Sequence, residues 1–216
     1  MSRLVIELLD HEFLAREEHL VRSGRRITRP LDDSPVPGTR PATEAPKTSP
    51  PPAAATVINA LSRLRLVTGR AVHFAVLDRG VARSRAVLPH RGHPTPVAPG
   101  QALPAHATAV GKAMLAWAEA AVLKTVIDAG LTTPGPRAIT DPQRLREELS
   151  RVRALGIARE HNESGPSVAC LAAPVRLDDG RVVAGISVIC SRPDAGLRRS
   201  EAAVRSTALT LFAAPP

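Results

Sequence analysis

Aromatic side chains are almost absent from this sequence, which contains one Trp, three Phe and no Tyr among its 216 residues. Proteins that bind single-stranded nucleic acid usually stack bases on aromatic rings, so this shortage argues against that class. The core must instead be built from aliphatic side chains, which make up most of the apolar 44% of the chain. A chain of this length can bury such a core.

Cysteines and long apolar runs are also scarce. The two cysteines, Cys170 and Cys190, both lie in apolar segments that resemble strands. The chain has no secretory signal segment and no run of about 18 apolar residues, the length that a membrane-spanning helix needs. We therefore predict a cytoplasmic protein with reduced thiols and no membrane partner.

Basic residues outnumber acidic ones by 29 to 20, which gives a formal net charge of +9. This charge favours attraction to a polyanion such as DNA, although a GC-rich genome also raises the arginine content. Four of the arginines are concentrated around Gly24, at Arg22, Arg25, Arg26 and Arg29. Such a stretch is typical either of a phosphate-binding wing in a winged helix-turn-helix or of a solvated turn.

Composition divides the chain into three parts. Residues 1–29 combine a segment of helical periodicity with the basic stretch. Residues 30–52 are rich in proline and small polar residues, which cannot build a core and predict an extended linker. Residues 53–216 contain the apolar periodicity of a folded domain.

Within the third part the patterns predict helices and strands together. A helix is expected over 53–67, two strands over 71–78 and 81–88, and one helical stripe within 106–118. Asp141 or Thr140 can cap the next helix, in which Gln143 would complete a capping box and Gly156 would mark the end.

The turn Asp178-Asp179-Gly180 lies between two apolar runs, 168–177 and 181–190, and predicts a β-hairpin. A last helix over about 197–212 would cover one face of it. This order of elements indicates an α+β fold, an antiparallel sheet with helices packed on it and a cavity over one sheet face.

Two motifs are tested for cofactor or metal chemistry. Gly111-Lys112 resembles the end of a phosphate-binding loop, but that loop requires Gly where His106 stands and Ser or Thr where Ala113 stands. His90 and His93 have a spacing that some metal sites use, yet no nearby residue completes a ligand set. The sequence therefore predicts no cofactor and no metal.

Two groups of residues are tested for catalysis. Cys170 could act as a thiol nucleophile with His106 or His161, but an apolar strand raises a thiol pKa and favours a core role. Glu160, His161 and Glu163 could form an acid/base set, although such a cluster entering a strand is more often a solvated edge. We predict that the protein is not an enzyme.

From about residue 57 onward the sequence resembles the effector-binding domain of the IclR family of bacterial transcription regulators. Four segments carry the resemblance, namely TGRAVHFAVLD (68–78), LPAHATAVGKAMLA (103–116), ITDPQRLREELSRVRALGIA (139–158) and CLAAPVRLDDGRVVAGISV (170–188). The resemblance implies a GAF-like effector domain, a homodimer or tetramer, and an N-terminal winged helix-turn-helix that binds promoter DNA.

Residues 1–29 resemble part of that DNA-binding domain, the end of its recognition helix and the wing. Arg22, Arg25 and Arg26 would then contact DNA, while the helices expected before them are missing and the interdomain helix is replaced by the linker. A recognition helix is positioned by packing on the preceding helices. Either translation begins upstream of Met1, or the protein is a stand-alone sensor or oligomerisation module without DNA binding of its own.

The resemblance also implies where a small-molecule effector, an organic acid or aromatic compound, would bind. The implied ligand-binding residues lie on one helix start and three strands and are Ala109, Val110, Glu160, Cys170, Ser187 and Ile189. The amides and positive dipole at the helix start favour a carboxylate. Since the family often has a polar residue where Ile189 stands, a more apolar ligand is expected. The predicted function is that of a ligand-responsive, DNA-binding transcription regulator.

Overall fold

The computed structural model describes residues 54–90, 95–190 and 195–211. These ranges belong to the predicted domain 53–216. The predicted winged helix-turn-helix remnant over 1–29, with Arg22, Arg25 and Arg26, and the predicted linker over 30–52 lie outside the described residues.

The centre of the domain is a six-stranded antiparallel sheet in the order β3-β2-β1-β6-β5-β4. The strands are β1 (Ala71–Asp78), β2 (Val81–Leu88), β3 (Ala102–Pro104), β4 (Ala158–His161), β5 (Ala169–Arg176) and β6 (Val182–Cys190). The long apolar strands β1, β5 and β6 are central, and the short strands β3 and β4 form the edges. The predicted α+β fold with an antiparallel sheet is confirmed.

Helices cover both faces of the sheet. They are α1 (Ala54–Thr68), α2 (Ala109–Leu115), α3 (Ala120–Asp128), α4 (Pro142–Leu155) and α5 (Glu201–Thr210), with 3₁₀ turns at Ala105–Ala107 and Ala195–Ser200. Helix α2 contacts β1, β5 and β6 on one face, and α4 packs behind it. Helices α1 and α5 contact β1, β5 and β6 from the other layer.

The alternation of side chains along each strand separates two apolar layers. Ala75 of β1 and Ile189 of β6 belong to the same buried cluster as Val110 and Met114 of α2. Phe74, the neighbour of Ala75, points to the opposite face and is also buried. Because both faces are covered, the central strands are apolar along nearly their whole length.

Two predicted turns have the expected backbone conformation. Gly156 ends α4 with a φ of +63°, and Gly180 in the β5–β6 turn has a φ of +82°. Glycine adopts these left-handed angles without the steric cost that a Cβ atom brings. The predicted hairpin and the predicted end of the long helix are therefore both correct.

Two local predictions were wrong in detail. The helical stripe predicted within 106–118 is a 3₁₀ turn followed by a shorter helix, because extended Thr108 caps α2 and its Oγ1 accepts a hydrogen bond from the Gly111 N–H. The capping box with Gln143 does not form. Asp141 is the cap, its Oδ1 accepts from the Arg144 N–H at 2.7 Å, and Gln143 instead donates to Glu147 on the next turn.

Candidate functional site

A cavity of about 100 Å³ lies between the start of α2 and the sheet. Since one water molecule needs roughly 10–15 Å³, this space can hold several waters or a compact metabolite. The six residues predicted to bind a ligand all line it, and they are Ala109, Val110, Glu160, Cys170, Ser187 and Ile189. The structure thus brings together residues that are up to 80 positions apart in the chain.

The strand register explains why these residues meet. Cys170 of β5 lies opposite Glu160 of β4 on one side and opposite Ile189 of β6 on the other. Ser187 is two residues from Ile189 and therefore shares its sheet face. On the other side of β6, Ser187 lies opposite His73 of β1. Two neighbouring rows of side chains on four strands, Glu160-Cys170-Ile189 and Ser187-His73, therefore form the floor of the cavity.

Eight further residues, which were not predicted from the sequence, also line the cavity. Four are polar, namely His73, Gln101, Thr108 and Ser164, and four are apolar, namely Pro96, Val97, Leu103 and Val168. For His73 a signal was present, because a histidine within the otherwise apolar strand AVHFAVLD must be buried. The loop residues gave no such signal, since only the tertiary fold brings them to the cavity.

Glu160 is the acidic residue of the cavity wall and is only 3% exposed. Its Oε2 accepts a hydrogen bond from the Ala109 N–H at 3.2 Å. Its Oε1 accepts from the Ser164 N–H at 2.8 Å and from the Ser164 hydroxyl. The amide at the start of α2, which was expected to favour a ligand carboxylate, therefore already donates to a carboxylate of the protein.

The glutamates after α4 were expected at a solvated strand edge, and this prediction was wrong. Glu163 is 9% exposed, and both of its carboxylate oxygens accept from Lys112 Nζ, at 2.7 and 2.8 Å. Lys112 is itself fully buried and also donates to Glu148 Oε1 of α4 at 3.3 Å. Burial of a carboxylate is possible here because an ammonium group accompanies it.

The Lys112 cluster links three parts of the fold, α2, α4 and the loop after β4. Desolvation raises the pKa of Glu163, and the ammonium of Lys112 opposes this rise. From the sequence, Lys112 was interpreted only as a residue of a phosphate-binding loop. A lysine inside the apolar segment AVGKAML was nevertheless a signal for a buried ion pair, since Lys is rarely buried without a partner.

Cys170 has the environment of a core thiol. Burial, together with the nearby carboxylate of Glu160, raises its pKa well above the usual value. A nucleophilic cysteine requires the opposite, a positive or basic neighbour that populates the thiolate. The Nε2 atom of His106, one of the two histidines considered as its base, lies 3.0 Å from the carbonyl oxygen of Thr132. His93, which was considered together with His90 as a metal ligand, lies outside the described residues.

His73 is a further titratable residue of the cavity floor. It is 2% exposed, and burial lowers its pKa to about 4, so that its imidazole is neutral at pH 7. Its Nε2 atom is buried and has no hydrogen-bond partner in the structure. The histidine is therefore an unsatisfied polar group at the floor of the cavity.

An antiparallel sheet covered on both faces, with a partly polar cavity under a short helix, defines the class of this domain as an α+β domain with a candidate small-molecule site. Residues 53–211 match the family model described as "Bacterial transcriptional regulator IclR C-terminal". The chain belongs to the IclR family. None of the helices in the described ranges is long and apolar enough to cross a membrane.

Similar proteins agree with this family. The uncharacterised HTH-type regulator RhmR of Escherichia coli K12 is 35% identical over 140 residues, 61% of this chain and 52% of that protein. The repressor AllR of the same strain is 31% identical over 130 residues, covering 59% and 48%. The chain thus spans about half the length of the curated relatives it matches.

A solved structure with the same fold contains a bound small molecule. It is an IclR homologue from Microbacterium hydrocarbonoxydans complexed with 4-hydroxybenzoate, with a TM-score of 0.68 and 23% identity. The match covers 73% of this chain and 65% of that one. At this level of identity the likeness shows the fold.

Proposed function

We propose that this protein is a ligand-responsive transcription regulator in which the domain 53–216 binds a small metabolite and thereby modulates promoter binding. The observation that carries the proposal is the cavity, in which all six residues implied by the family resemblance meet. Its apolar walls with a few polar groups have the character of a small-molecule site rather than of a filled core.

The effector is an organic acid or an aromatic compound in this proposal. The 4-hydroxybenzoate bound by the Microbacterium homologue belongs to both classes, which supports them as the first compounds to test. Ile189 and Val110 offer apolar contact, while Ser187 offers a hydroxyl group for hydrogen bonding. We assign the ligand contacts to these three residues and to Ala109, Glu160 and Cys170.

Ligand binding regulates by shifting an equilibrium between two arrangements of a homodimer or tetramer that differ in promoter affinity. In this proposal residues 1–29 contribute to DNA binding, with Arg22, Arg25 and Arg26 on phosphates, and residues 30–52 connect them to the sensor. Phosphate contacts give affinity without sequence preference. The site of action is the cytoplasm, where the promoter lies.

The test of ligand binding combines a thermal-shift screen of organic acids and phenols with two matched variants. A compound that binds only the folded state raises the unfolding temperature. Ser187→Leu fills the cavity and should abolish this increase. Ser150→Leu makes the same change at an exposed position of α4 and should preserve it. If the compound raised the unfolding temperature of both variants equally, the ligand would bind outside this cavity.

DNA binding is tested by gel shift with fragments of the region upstream of the gene. We expect a complex whose affinity changes at least several-fold when a compound from the screen is added. A ligand that raises the unfolding temperature without any DNA complex would favour the stand-alone sensor instead. No response to any compound would contradict the sensor function itself.

A further inference from the structure

His73 differs from Glu160 and Thr108, two other polar residues that line the cavity. Glu160 accepts hydrogen bonds at both oxygens, and the Thr108 hydroxyl both donates to Pro104 O and accepts from Gly111 N–H. The Nε2 atom of His73, in contrast, is buried without a partner. A buried polar atom without a hydrogen bond destabilises the protein. A ligand group that forms this hydrogen bond therefore contributes more binding free energy than the same hydrogen bond would at a solvated site.

The protonation state of His73 restricts which ligand group can satisfy it. Since its pKa is lowered to about 4, the ring is neutral near pH 7 and has one N–H donor and one acceptor nitrogen. A hydroxyl group both donates and accepts, so it can pair with Nε2 in either tautomer. An ionised carboxylate only accepts and can pair with the N–H tautomer alone.

The charges around the cavity also favour an uncharged ligand group next to His73. None of the described residues that line it is Lys or Arg, and the acidic Glu160 is among them. A carboxylate placed beside His73 would have no cationic partner from this lining, and burying a charge without one is costly. The floor next to Ser187 therefore suits an uncharged polar group.

We propose that His73 is a specificity-determining residue that receives an uncharged hydroxyl group of the effector, on the floor of the cavity beside Ser187. The inference rests on the proposed function, because it presumes that the effector occupies this cavity. It narrows the ligand class to hydroxylated compounds, with any carboxylate of the effector directed away from the floor.

The test uses the full chain and two pairs of probes that differ by one hydroxyl, 4-hydroxybenzoate with benzoate and lactate with propionate. Isothermal titration should show that the wild-type protein binds the hydroxylated member of at least one pair about tenfold more tightly, the effect of one neutral hydrogen bond. His73→Leu should lose this preference. His73→Gln should retain most of it, because the Gln side-chain amide extends about as far as Nε2.

Ser84→Ala is the matched control, since Ser84 also has a buried, unpartnered polar atom but does not line the cavity. This variant should keep the wild-type preference. In addition, the ¹⁵N chemical shift of His73 Nε2, assigned by its absence in His73→Gln, should change when the hydroxylated probe is added and not when its partner is. This measurement needs no apolar variant and decides the question even if His73→Leu fails to fold.

The possible outcomes separate this inference from the proposed function. Equal affinity within both pairs, or a preference that is unchanged in His73→Leu, would overturn the role of His73 while leaving the sensor function intact. Absence of binding by all four probes would overturn the role of His73, whereas the sensor function is decided by the wider thermal-shift screen. Binding with a preference that only His73→Leu abolishes supports the assignment.

Discussion

At the scale of single residues, His73 makes the free energy of unfolding depend on pH. Its pKa falls from 6.5 to about 4 on folding, so the folded state favours the neutral ring. A group with a depressed pKa contributes stability that is present above pH 6.5 and is lost as the pH falls through the range towards 4. We expect up to about 3 kcal/mol of such loss, since each pKa unit corresponds to about 1.4 kcal/mol.

The measurement is the free energy of urea unfolding between pH 7 and pH 4. The wild-type curve should fall more steeply with decreasing pH than the curve of His73→Leu, which lacks the titrating group. Ser84→Ala removes a buried polar group that does not titrate and should follow the wild-type slope. Parallel curves for wild type and His73→Leu would show that the ring is solvated or paired in solution.

Lys112 is the second residue whose removal should have a large effect. Lys112→Met removes a fully buried ammonium and leaves Glu163 and Glu148 without their cationic partner. Breaking a buried ion pair in this way typically costs about 3–5 kcal/mol. The loss should be smaller at pH 5 than at pH 7, because desolvation already raises the pKa of Glu163 and protonation then relieves the unpaired charge.

Urea unfolding of Lys112→Met at both pH values tests this expectation. The matched control is Lys124→Met, which breaks the exposed pair with Asp128 on α3. An exposed pair of this spacing contributes only about 0.3–0.5 kcal/mol. If the two lysine variants lost similar stability, Lys112 would not be buried and paired in solution.

At the scale of elements, the beginning of α4 shows which of the two predicted caps forms. Asp141 accepts the Arg144 N–H, whereas Gln143 bonds only along the helix surface. Asp141→Ala should therefore destabilise the protein by about 1 kcal/mol, the usual contribution of an N-cap. Gln143→Ala should change the unfolding free energy by less than half of that. A larger loss of stability in Gln143→Ala than in Asp141→Ala would instead support the predicted capping box.

The elements themselves could largely be predicted from the sequence because their signals are local. β1 was predicted at its exact limits, since its apolar run is followed directly by the turn Arg79-Gly80. The position of α2 was less exact, because Thr108 interrupts a stripe whose periodicity continues through it. Periodicity reports the buried face of a helix, whereas its first residue depends on a single cap.

At the scale of the whole molecule, the site depends on contacts between distant segments. The positions of its six expected residues were implied by family resemblance, whereas the pairing of Lys112 with Glu163, 51 residues away, could not be read from local patterns. The same holds for the contact of Glu160 with the Ala109 amide. Packing of α2 against the sheet brings these residues together, and this packing is a property of the assembled domain rather than of one helix or strand.

At the same scale, residue 53 is the predicted boundary of the effector-binding domain. The described residues of this domain form one compact unit, and the buried cluster and the cavity described above lie within it. A chain beginning at Ala53 should therefore unfold cooperatively, with a midpoint within a few degrees of the full chain, and should respond equally to an effector identified by thermal shift. In a gel shift it should lose the DNA affinity that Arg22, Arg25 and Arg26 are proposed to supply. If the shortened chain did not unfold cooperatively, the predicted domain boundary at residue 53 would be wrong. If it still bound DNA, the DNA-binding surface would lie in the effector-binding domain.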